Sequence, residues 1–132
     1  MKIGNFLVPL TKHIDISEDH LTKILDSKKF KDYLQNFNTQ NVNVKSVNIL
    51  SLFMFGKNNV GFVSLIVEVY SKINNVKLPG YVFLRGHAVS VLVVINKKYM
   101  LLVKQFRVPY GNFTLEFPAG MMDESGNFAA TV

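Results

Sequence analysis

The chain has 132 residues, of which 48% are apolar and 18% charged, and it carries a net charge of +6 at pH 7. This composition excludes a disordered chain, and the absence of cysteine excludes disulfides, thiolate metal sites and cysteine nucleophiles. The apolar run after Met1 is interrupted by Gly4 and Pro9, and no stretch approaches the roughly 20 apolar residues of a membrane span. We therefore expect a soluble intracellular protein without a membrane partner, in the cytoplasm or an organelle.

The chain begins with two predicted helices. Ser17 is a suitable N-cap for the first helix. Apolar residues recur at helical spacing in both, at Leu21, Ile24 and Leu25 in the first and at Phe30, Tyr33, Leu34 and Phe37 in the second. We interpret them as core positions. The polar residues 38–43 are predicted to form a linker.

Beyond this linker the pattern is typical of strands. Residues 47–55 and 61–70 flank a turn at 56–59, which predicts a β-hairpin. Further turns are predicted at Asn74-Asn75 and at Pro79-Gly80. Residues 81–84 form the next predicted strand. The continuous apolar run at 88–95 has the length of a buried strand.

The last part of the chain is predicted to contain two more strands. Residues 99–108 follow a tight turn at 96–98 and place Lys104 and Phe106 on one face. Residues 113–117 lead into Pro118-Ala119-Gly120, which predicts an irregular backbone turn. Residues 127–132 resemble the start of a helix that the chain does not complete. We therefore expect the chain to be truncated.

The basic residues are concentrated in one part of the chain. Residues 71–115 contain no Asp or Glu but include Lys72, Lys77, Arg85, Lys97, Lys98, Lys104 and Arg107. This pattern indicates either a solvated lysine-rich surface or a positive field over a site for a polyanion such as a diphosphate. The lysines are spread through strands and turns rather than interleaved with aromatic residues in a stripe, so we do not expect nucleic acid as a partner.

The two arginines, Arg85 and Arg107, stand out among thirteen lysines. A planar guanidinium grips phosphate or carboxylate through two parallel hydrogen bonds, so both residues are candidate anion ligands. The alternative is a pair of structural ion pairs, which the scarcity of nearby acids argues against.

Glu116 lies between two apolar residues, Leu115 and Phe117. If its side chain faces the interior, it needs a cation, a metal or a hydrogen-bond donor. The alternative is simple alternation, with Glu116 on a solvated face. The predicted turn at Pro118-Ala119-Gly120 would expose backbone carbonyls that a hard cation can bind.

These segments resemble a known family. Residues 115–120 (LEFPAG), preceded by 105–109 (QFRVP), are similar to the start of the Nudix box in ADP-ribose and ADP-sugar diphosphatases. Other pieces occur in the order found in plant-type ADP-sugar diphosphatases, namely residues 26–30 (DSKKF), 54–57 (MFGK), 61–62 (GF), 78–80 (LPG), 82–86 (VFLRG), 88–89 (AV) and 120–123 (GMMD). The resemblance spans roughly Ile16 to the end of the chain.

The resemblance implies an α+β fold in two parts. Residues 1–78 would form a lead-in of helices and a β-hairpin, serving as a dimerisation or substrate domain. Residues 79–132 would form the first part of a Nudix α/β/α sandwich with a mixed sheet. The implied activity is hydrolysis of a nucleoside diphosphate sugar, of the ADP-ribose or ADP-glucose type, to AMP and a sugar phosphate with Mg²⁺ or Mn²⁺. The implied partners are this substrate and a second copy of the chain.

The resemblance also implies roles for individual residues. Glu116 would be a catalytic carboxylate near the metal, the carbonyl of Ala119 a metal ligand, Arg107 a diphosphate ligand and Arg85 a further substrate contact, with Pro118 and Gly120 as motif residues. These residue types suit the chemistry, because divalent metals clamp diphosphate oxygens and activate water while arginine offsets phosphoryl charge.

Two departures from the family pattern qualify this expectation. The family box reads G-x5-E-x7-R-E-U-x-E-E-x-G-U, where U is a bulky apolar residue, and counting from Gly120 places Gly126 where the first Glu belongs. Glu124 replaces it only with a local shift. The chain also ends at Val132, before the R-E-U-x-E-E helix that supplies most metal ligands. We therefore expect weak metal binding and little turnover by this chain alone. The alternative is a non-catalytic Nudix-like binding or structural module in a larger assembly.

Overall fold

The computed structural model describes residues 1–122 and divides into two units, Met1–Arg85 and the residues from Gly86 onward. The first unit contains β1 (Lys2–Ile3), β2 (Phe6–Leu7), β3 (Leu10–Lys12), α1 (Glu18–Asp26), α2 (Lys28–Asn36), β4 (Val42–Phe55), β5 (Asn59–Ser71) and β6 (Tyr81–Leu84). The second contains β7 (Ala88–Ser90), β8 (Val94–Ile95), β9 (Tyr99–Met100), β10 (Val103–Arg107), β11 (Asn112–Glu116) and β12 (Ala119–Met121). The α+β class is confirmed.

Both predicted helices are confirmed in the first unit. Ser17 caps α1, because its hydroxyl oxygen accepts a hydrogen bond from the backbone N–H of His20 at 3.1 Å. Ile24 of α1 and Phe30 of α2 are fully buried in the core. Of the two helices in residues 1–122, each nine residues long, neither is long and apolar enough to cross a membrane.

The helices share a core with a four-stranded mixed sheet of order β3-β4-β5-β6. Strand β3 runs parallel to β4, and the other neighbours are antiparallel. The predicted hairpin is confirmed, although β4 begins at Val42 because Val42 and Asn43 already pair with β5. The inward-facing residues of the sheet form the core with the helices and include Val47, Ile49, Val63, Leu65 and Val67.

The other face of the sheet carries a cluster of four phenylalanines, Phe53, Phe55, Phe62 and Phe83. Neighbouring ring centroids in this phenylalanine cluster lie 5.1 to 5.8 Å apart. Three of the four side chains remain largely exposed, with 58% of Phe53 and 60% of Phe83 accessible. The four rings therefore contact one another and are not part of the core.

The predicted turn at Pro79-Gly80 is wrong. The chain reverses earlier, after β5, where Asn75 adopts a positive φ of 54°. Residues 77–80 then run back along β5, since Leu78 N–H donates to Val69 O at 2.9 Å and Gly80 O accepts from Val67 N–H at 2.8 Å. Gly80 is needed for close approach rather than for a turn, because a Cβ there would lie 1.9 Å from the carbonyl oxygen of Val67.

Replacing Gly80 with Ala is therefore expected to destabilise the first unit by about 3 kcal/mol, at the upper end of typical overpacking losses. The clash is with backbone, so it is relieved only by separating β5 from the returning chain. Urea unfolding followed by circular dichroism measures this loss. Gly56→Ala is the matched control, since Gly56 has open space around it and only its φ of 67° opposes a side chain. That strain costs about 1 to 2 kcal/mol, and a larger loss for Gly56→Ala than for Gly80→Ala would contradict this account.

The first compact unit ends at Arg85, and the predicted division of the chain after residue 78 stays a prediction. Strand β6 is the fourth strand of its sheet and pairs with β5 from Tyr81 to Leu84, so the unit ends at Arg85. The functional roles assigned to the two parts stay predictions.

The second unit consists of three antiparallel strand pairs in its described residues, β7–β12, β8–β9 and β10–β11. The predicted buried strand at 88–95 is wrong. It divides into β7 and β8, which belong to different sheets, and none of its residues is buried. An apolar run predicts burial only where a second layer covers it, and no helix covers these strands among residues 86–122. The predicted strand at 99–108 likewise divides, into β9 and β10.

The predicted tight turn at 96–98 is confirmed. Asn96 and Lys97 have φ values of 49° and 56°, and they connect β8 to β9. Lys98 N–H donates to Ile95 O at 3.0 Å, so Asn96 and Lys97 are the central residues of a turn whose two positive φ values are typical of type I′.

Candidate functional site

The candidate site lies on the hairpin β10–β11. Its turn is closed by Gly111, whose φ is 70° and whose N–H donates to the carbonyl of Arg107 at 2.8 Å. The turn sets the register, in which Gln105 lies opposite Thr114. Because directly opposed residues share a face, one face of the hairpin carries Arg107 and Gln105 together with Thr114 and Glu116.

On this polar face Arg107 and Glu116 form a bidentate ion pair. Arg107 Nε donates to Glu116 Oε1 at 2.6 Å, and the terminal guanidinium nitrogen Nη2 donates to Oε2. The hydroxyl of Thr114 also donates to Oε1. The carboxylate thus accepts three hydrogen bonds, two of them in the fork geometry that arginine favours.

The expectation that scarce acids leave Arg107 without an acidic partner is wrong. The acid that pairs with it is nine residues away along the chain, and the hairpin brings it back. Arg107 lies opposite Asn112 and Glu116 lies opposite Val103, so the ion pair reaches along most of the polar face. The alternative of a solvated alternating face for Glu116 fits the structure better than an interior position, since a quarter of its side chain is exposed and it hydrogen-bonds to Arg107 and Thr114.

The opposite face of the hairpin is aromatic. Phe106 and Phe113 contact each other edge to face with centroids 5.3 Å apart, and Lys104 Nζ lies 5.0 Å from the centre of the Phe113 ring. Both phenylalanines are half exposed. The hairpin therefore separates a charged face from an aromatic face, with one cation on each.

The predicted irregular turn at Pro118-Ala119-Gly120 is wrong, because Ala119–Met121 forms strand β12 and pairs with β7. The Ala119 carbonyl nevertheless stays outside this pairing. Val91 N–H donates to Pro118 O at 2.9 Å and Met122 N–H donates to His87 O at 3.0 Å. In this register Ala119 faces Ser90 as a non-hydrogen-bonded pair, so its carbonyl points away from β7.

The remaining predicted site residues are dispersed. Arg85 ends the first unit, directly after β6, and has no ion-pair partner among residues 1–122. Pro118 lies directly before β12 and Gly120 lies within it, and both are partly buried. Glu124 lies outside the described residues. The structure thus brings Arg107 and Glu116 into contact, with Ala119 three residues further along the chain.

A divalent metal would find few ligands in this arrangement. Within the described part of the chain no three His, Asp or Glu side chains come together as a ligand set. The available hard donors are the Ala119 carbonyl and the Glu116 carboxylate, and the latter is occupied by Arg107 and Thr114. Mg²⁺ requires six oxygen ligands. As arranged, the described residues do not fit a metal site.

Thr114 is a site residue that the sequence interpretation missed. Its hydroxyl lies between the carboxylate of Glu116 and the carbonyl of Gln105, which it reaches at 3.3 Å. The available signal was the period of two in a strand, since Thr114 and Glu116 are two residues apart and share a face.

The ion pair predicts how Glu116 titrates. Hydrogen bonding from Arg107, followed by that from Thr114, lowers the pKa of Glu116 from 4.5 to about 2. A depressed pKa in the folded state contributes stability above the unfolded value of 4.5, and this contribution is lost as the pH falls from 4.5 towards 2. We expect NMR titration of the Glu116 carboxyl carbon to give a pKa near 2, and Arg107→Gln to move it back towards 4.5.

Glu68 is the internal control for this titration. Its pKa is also lowered, by hydrogen bonds from Tyr70 and Ser46 in the first unit. Arg107→Gln should leave the pKa of Glu68 unchanged. Parallel shifts at Glu68 and Glu116 would contradict the local origin of the effect.

The sequence has a relative whose name matches the resemblance. The chain is 35% identical to Nudix hydrolase 14, chloroplastic, from Arabidopsis thaliana, over an alignment of 127 positions that covers 88% of the chain and 41% of the relative. The chain thus spans about two fifths of the length of this protein. No protein-family profile matches the chain. No solved structure matches it either. The chain is thus similar to a protein named as a Nudix hydrolase over most of both its units.

Proposed function

We propose that the chain is part of a Nudix-type hydrolase that cleaves a nucleoside diphosphate sugar of the ADP-ribose or ADP-glucose class into AMP and a sugar phosphate. The observation that carries this proposal is the 35% identity to a Nudix hydrolase over 88% of the chain. The similarity includes most of both units rather than one short motif. The substrate class extends beyond the relative's name and rests on the ordered segments that resemble ADP-sugar diphosphatases.

The polar face of hairpin β10–β11 supports the assignment of the site within this proposal. Arg107 presents its fork to a carboxylate of Glu116, and a phosphoryl group offers the same arrangement of two oxygens. Arg107 would bind the diphosphate, and Glu116 would then be the carboxylate beside the scissile linkage. Arg85 stays a proposed substrate contact.

The proposal includes Mg²⁺ or Mn²⁺, which would clamp the diphosphate oxygens and activate water. The described residues supply at most two of its ligands, the Ala119 carbonyl and a Glu116 carboxylate released from Arg107. The other ligands must come from outside them, from substrate phosphates and from water. We therefore expect weak metal binding by this chain without substrate.

The test is release of AMP from ADP-ribose and from ADP-glucose by the full chain with Mg²⁺ or Mn²⁺, followed by chromatography. Glu116→Gln is the variant that removes the proposed catalytic carboxylate while keeping its shape. Asp15→Asn, which changes the net charge equally in the first unit, is the matched control. AMP release that Glu116→Gln abolishes and Asp15→Asn preserves supports the proposal. If the wild-type chain releases no AMP, hydrolysis by this chain is rejected and only its similarity to a Nudix hydrolase remains.

A second candidate function is a non-catalytic Nudix-like binding or structural module in a larger assembly. It is favoured by the closed pair between Arg107 and Glu116 and by the absence of a metal-ligand cluster within residues 1–122. Isothermal titration with ADP-ribose in the absence of metal separates the possibilities. Heat of binding without turnover indicates a binding module, and no heat indicates a structural one.

The cellular setting is part of the same proposal. We infer an intracellular location in the cytoplasm or an organelle, and the relative is chloroplastic by name. A homodimer is the proposed assembly, which sedimentation of the full chain tests directly.

A further inference from the structure

We propose that Glu116 holds Arg107 in a closed ion pair that a diphosphate opens by taking the same two donors, so that anion binding and release of the Glu116 carboxylate are one exchange. This inference rests on the proposed function, because it concerns how the same site is regulated. Glu116 would be a competitor of the substrate before it becomes a reactive group.

The closed pair occupies one complete fork of the guanidinium. The Glu116 carboxylate accepts from both Nε and Nη2 of Arg107, and two parallel donors of this kind also suit two oxygens of a phosphoryl group. One fork cannot make the same two hydrogen bonds to two anions at once. A phosphate can therefore reach Arg107 in this bidentate mode only after Glu116 has left.

The closed pair also masks the positive charge of Arg107. In the closed pair the guanidinium is neutralised by a carboxylate in direct contact, so the polar face offers little attraction to a dianion. Displacement of Glu116 uncovers the positive charge. In the closed pair the hydroxyl of Thr114, two residues away on the same face, also donates to the carboxylate and so helps to hold Glu116 in place.

The ion pair between Arg107 and Glu116 is exposed enough to be opened. The side chain of Arg107 is 46% exposed and that of Glu116 is 25% exposed. Ion pairs that water reaches contribute little net stability, whereas a buried pair would resist opening. A phosphate carries more charge than a carboxylate and competes for the same donors. The pair is thus accessible enough to act as an exchangeable contact.

The experiment measures binding of inorganic pyrophosphate to the full chain, with chelator and without metal, by isothermal titration at low salt. Glu116→Gln is expected to tighten binding by about two- to five-fold, which corresponds to the strength of an exposed pair. Asp15→Asn removes one negative charge in the first unit and should tighten binding less. Thr114→Val loosens the hold on Glu116 and should shift binding in the same direction as Glu116→Gln, by a smaller factor.

A double variant makes the exchange specific to this pair. Arg107→Gln should remove the pyrophosphate affinity that depends on the guanidinium. Adding Glu116→Gln to this variant should then give no increase in affinity. Equal tightening by Glu116→Gln with and without Arg107 would mean general electrostatics and would overturn the proposal. So would the absence of measurable pyrophosphate binding by every variant.

NMR provides a readout that does not depend on affinity alone. The chain contains two arginines, so its Nε–H groups give two signals, with Arg85 as the internal reference. Pyrophosphate should shift the Arg107 signal. The signal of the Glu116 carboxyl carbon should shift over the same range of pyrophosphate concentration, as its ion pair opens. A shift at Arg107 with no response at Glu116 would contradict a coupled exchange.

The inference and the proposed function fail in different ways. Tightening by Glu116→Gln without AMP release from the wild-type chain would retain the exchange and reject hydrolysis by this chain. AMP release without any tightening would retain the hydrolase and reject the exchange. The circular dichroism spectrum of each variant confirms that the fold is intact before binding is compared.

Discussion

Replacing Phe30 with Ala is expected to lower the free energy of unfolding of the first unit by about 3 to 5 kcal/mol, the usual cost of removing a buried phenylalanine. Phe30 is fully buried and is the largest side chain that the described core encloses completely. Domains of this size are stable by about 5 to 15 kcal/mol in total, so the variant should be close to unfolding. Urea unfolding followed by circular dichroism measures the change.

Phe53→Ala is the matched control, because it deletes the same atoms from the other face of the sheet. Phe53 is 58% exposed and contacts Phe55 and Phe62 within the phenylalanine cluster. Aromatic pairs of this kind contribute about 0.5 to 1.5 kcal/mol beyond their area burial. We expect a loss well below that of Phe30→Ala. Equal losses would contradict the expectation that the helix-covered face contributes more to stability than the phenylalanine cluster.

The parts of the fold that the sequence predicts correctly are those determined by neighbouring residues. Ser17 caps α1 through the N–H of a residue three positions ahead, which is a local interaction. The hairpin β4–β5 follows from alternation and a glycine-containing turn, and the turn at Asn96-Lys97 follows from a polar segment that begins with Asn, a residue type that tolerates positive φ. None of these features requires knowledge of distant contacts.

The errors concern contacts between distant residues. Residues 88–95 are apolar enough for a buried strand, but burial depends on what lies over them, which the run itself does not encode. Gly80 suggested a turn because glycine usually marks one. Its reason lies in the carbonyl of Val67, on a neighbouring strand that sequence spacing does not place beside it.

The sequence singled out two residues of the candidate site but did not predict their arrangement. Arg107 and Glu116 were selected individually, one for its fork and the other for its apolar neighbours. Their contact depends on the register of β10–β11, which the turn ending at Gly111 sets. A shift of the pairing by one residue would have placed Glu116 on the face of Phe106 rather than on that of Arg107. The pairing therefore follows from the turn, and Thr114 enters the site for the same reason.

Arg107→Gln is expected to lower kcat/KM for the proposed ADP-ribose hydrolysis by about 10² to 10³-fold, the usual effect of removing a donor that stabilises developing negative charge. The variant removes both the positive charge and the fork. Arg107→Lys keeps the charge but not the two parallel donors, and we expect it to recover only part of the loss. Steady-state kinetics of AMP release by the full chain measures both variants.

Lys104→Gln distinguishes a specific role for Arg107 from the general charge of the hairpin. Lys104 lies on the same strand but on the aromatic face, over the ring of Phe113, and its replacement lowers the net charge by the same amount. Because Lys104 does not share the face of Glu116, its loss should change kcat/KM by less than about two-fold, as for exposed charges in general. A loss equal to that of Arg107→Gln would mean that the positive field of the hairpin, and not the guanidinium fork on its polar face, attracts the diphosphate.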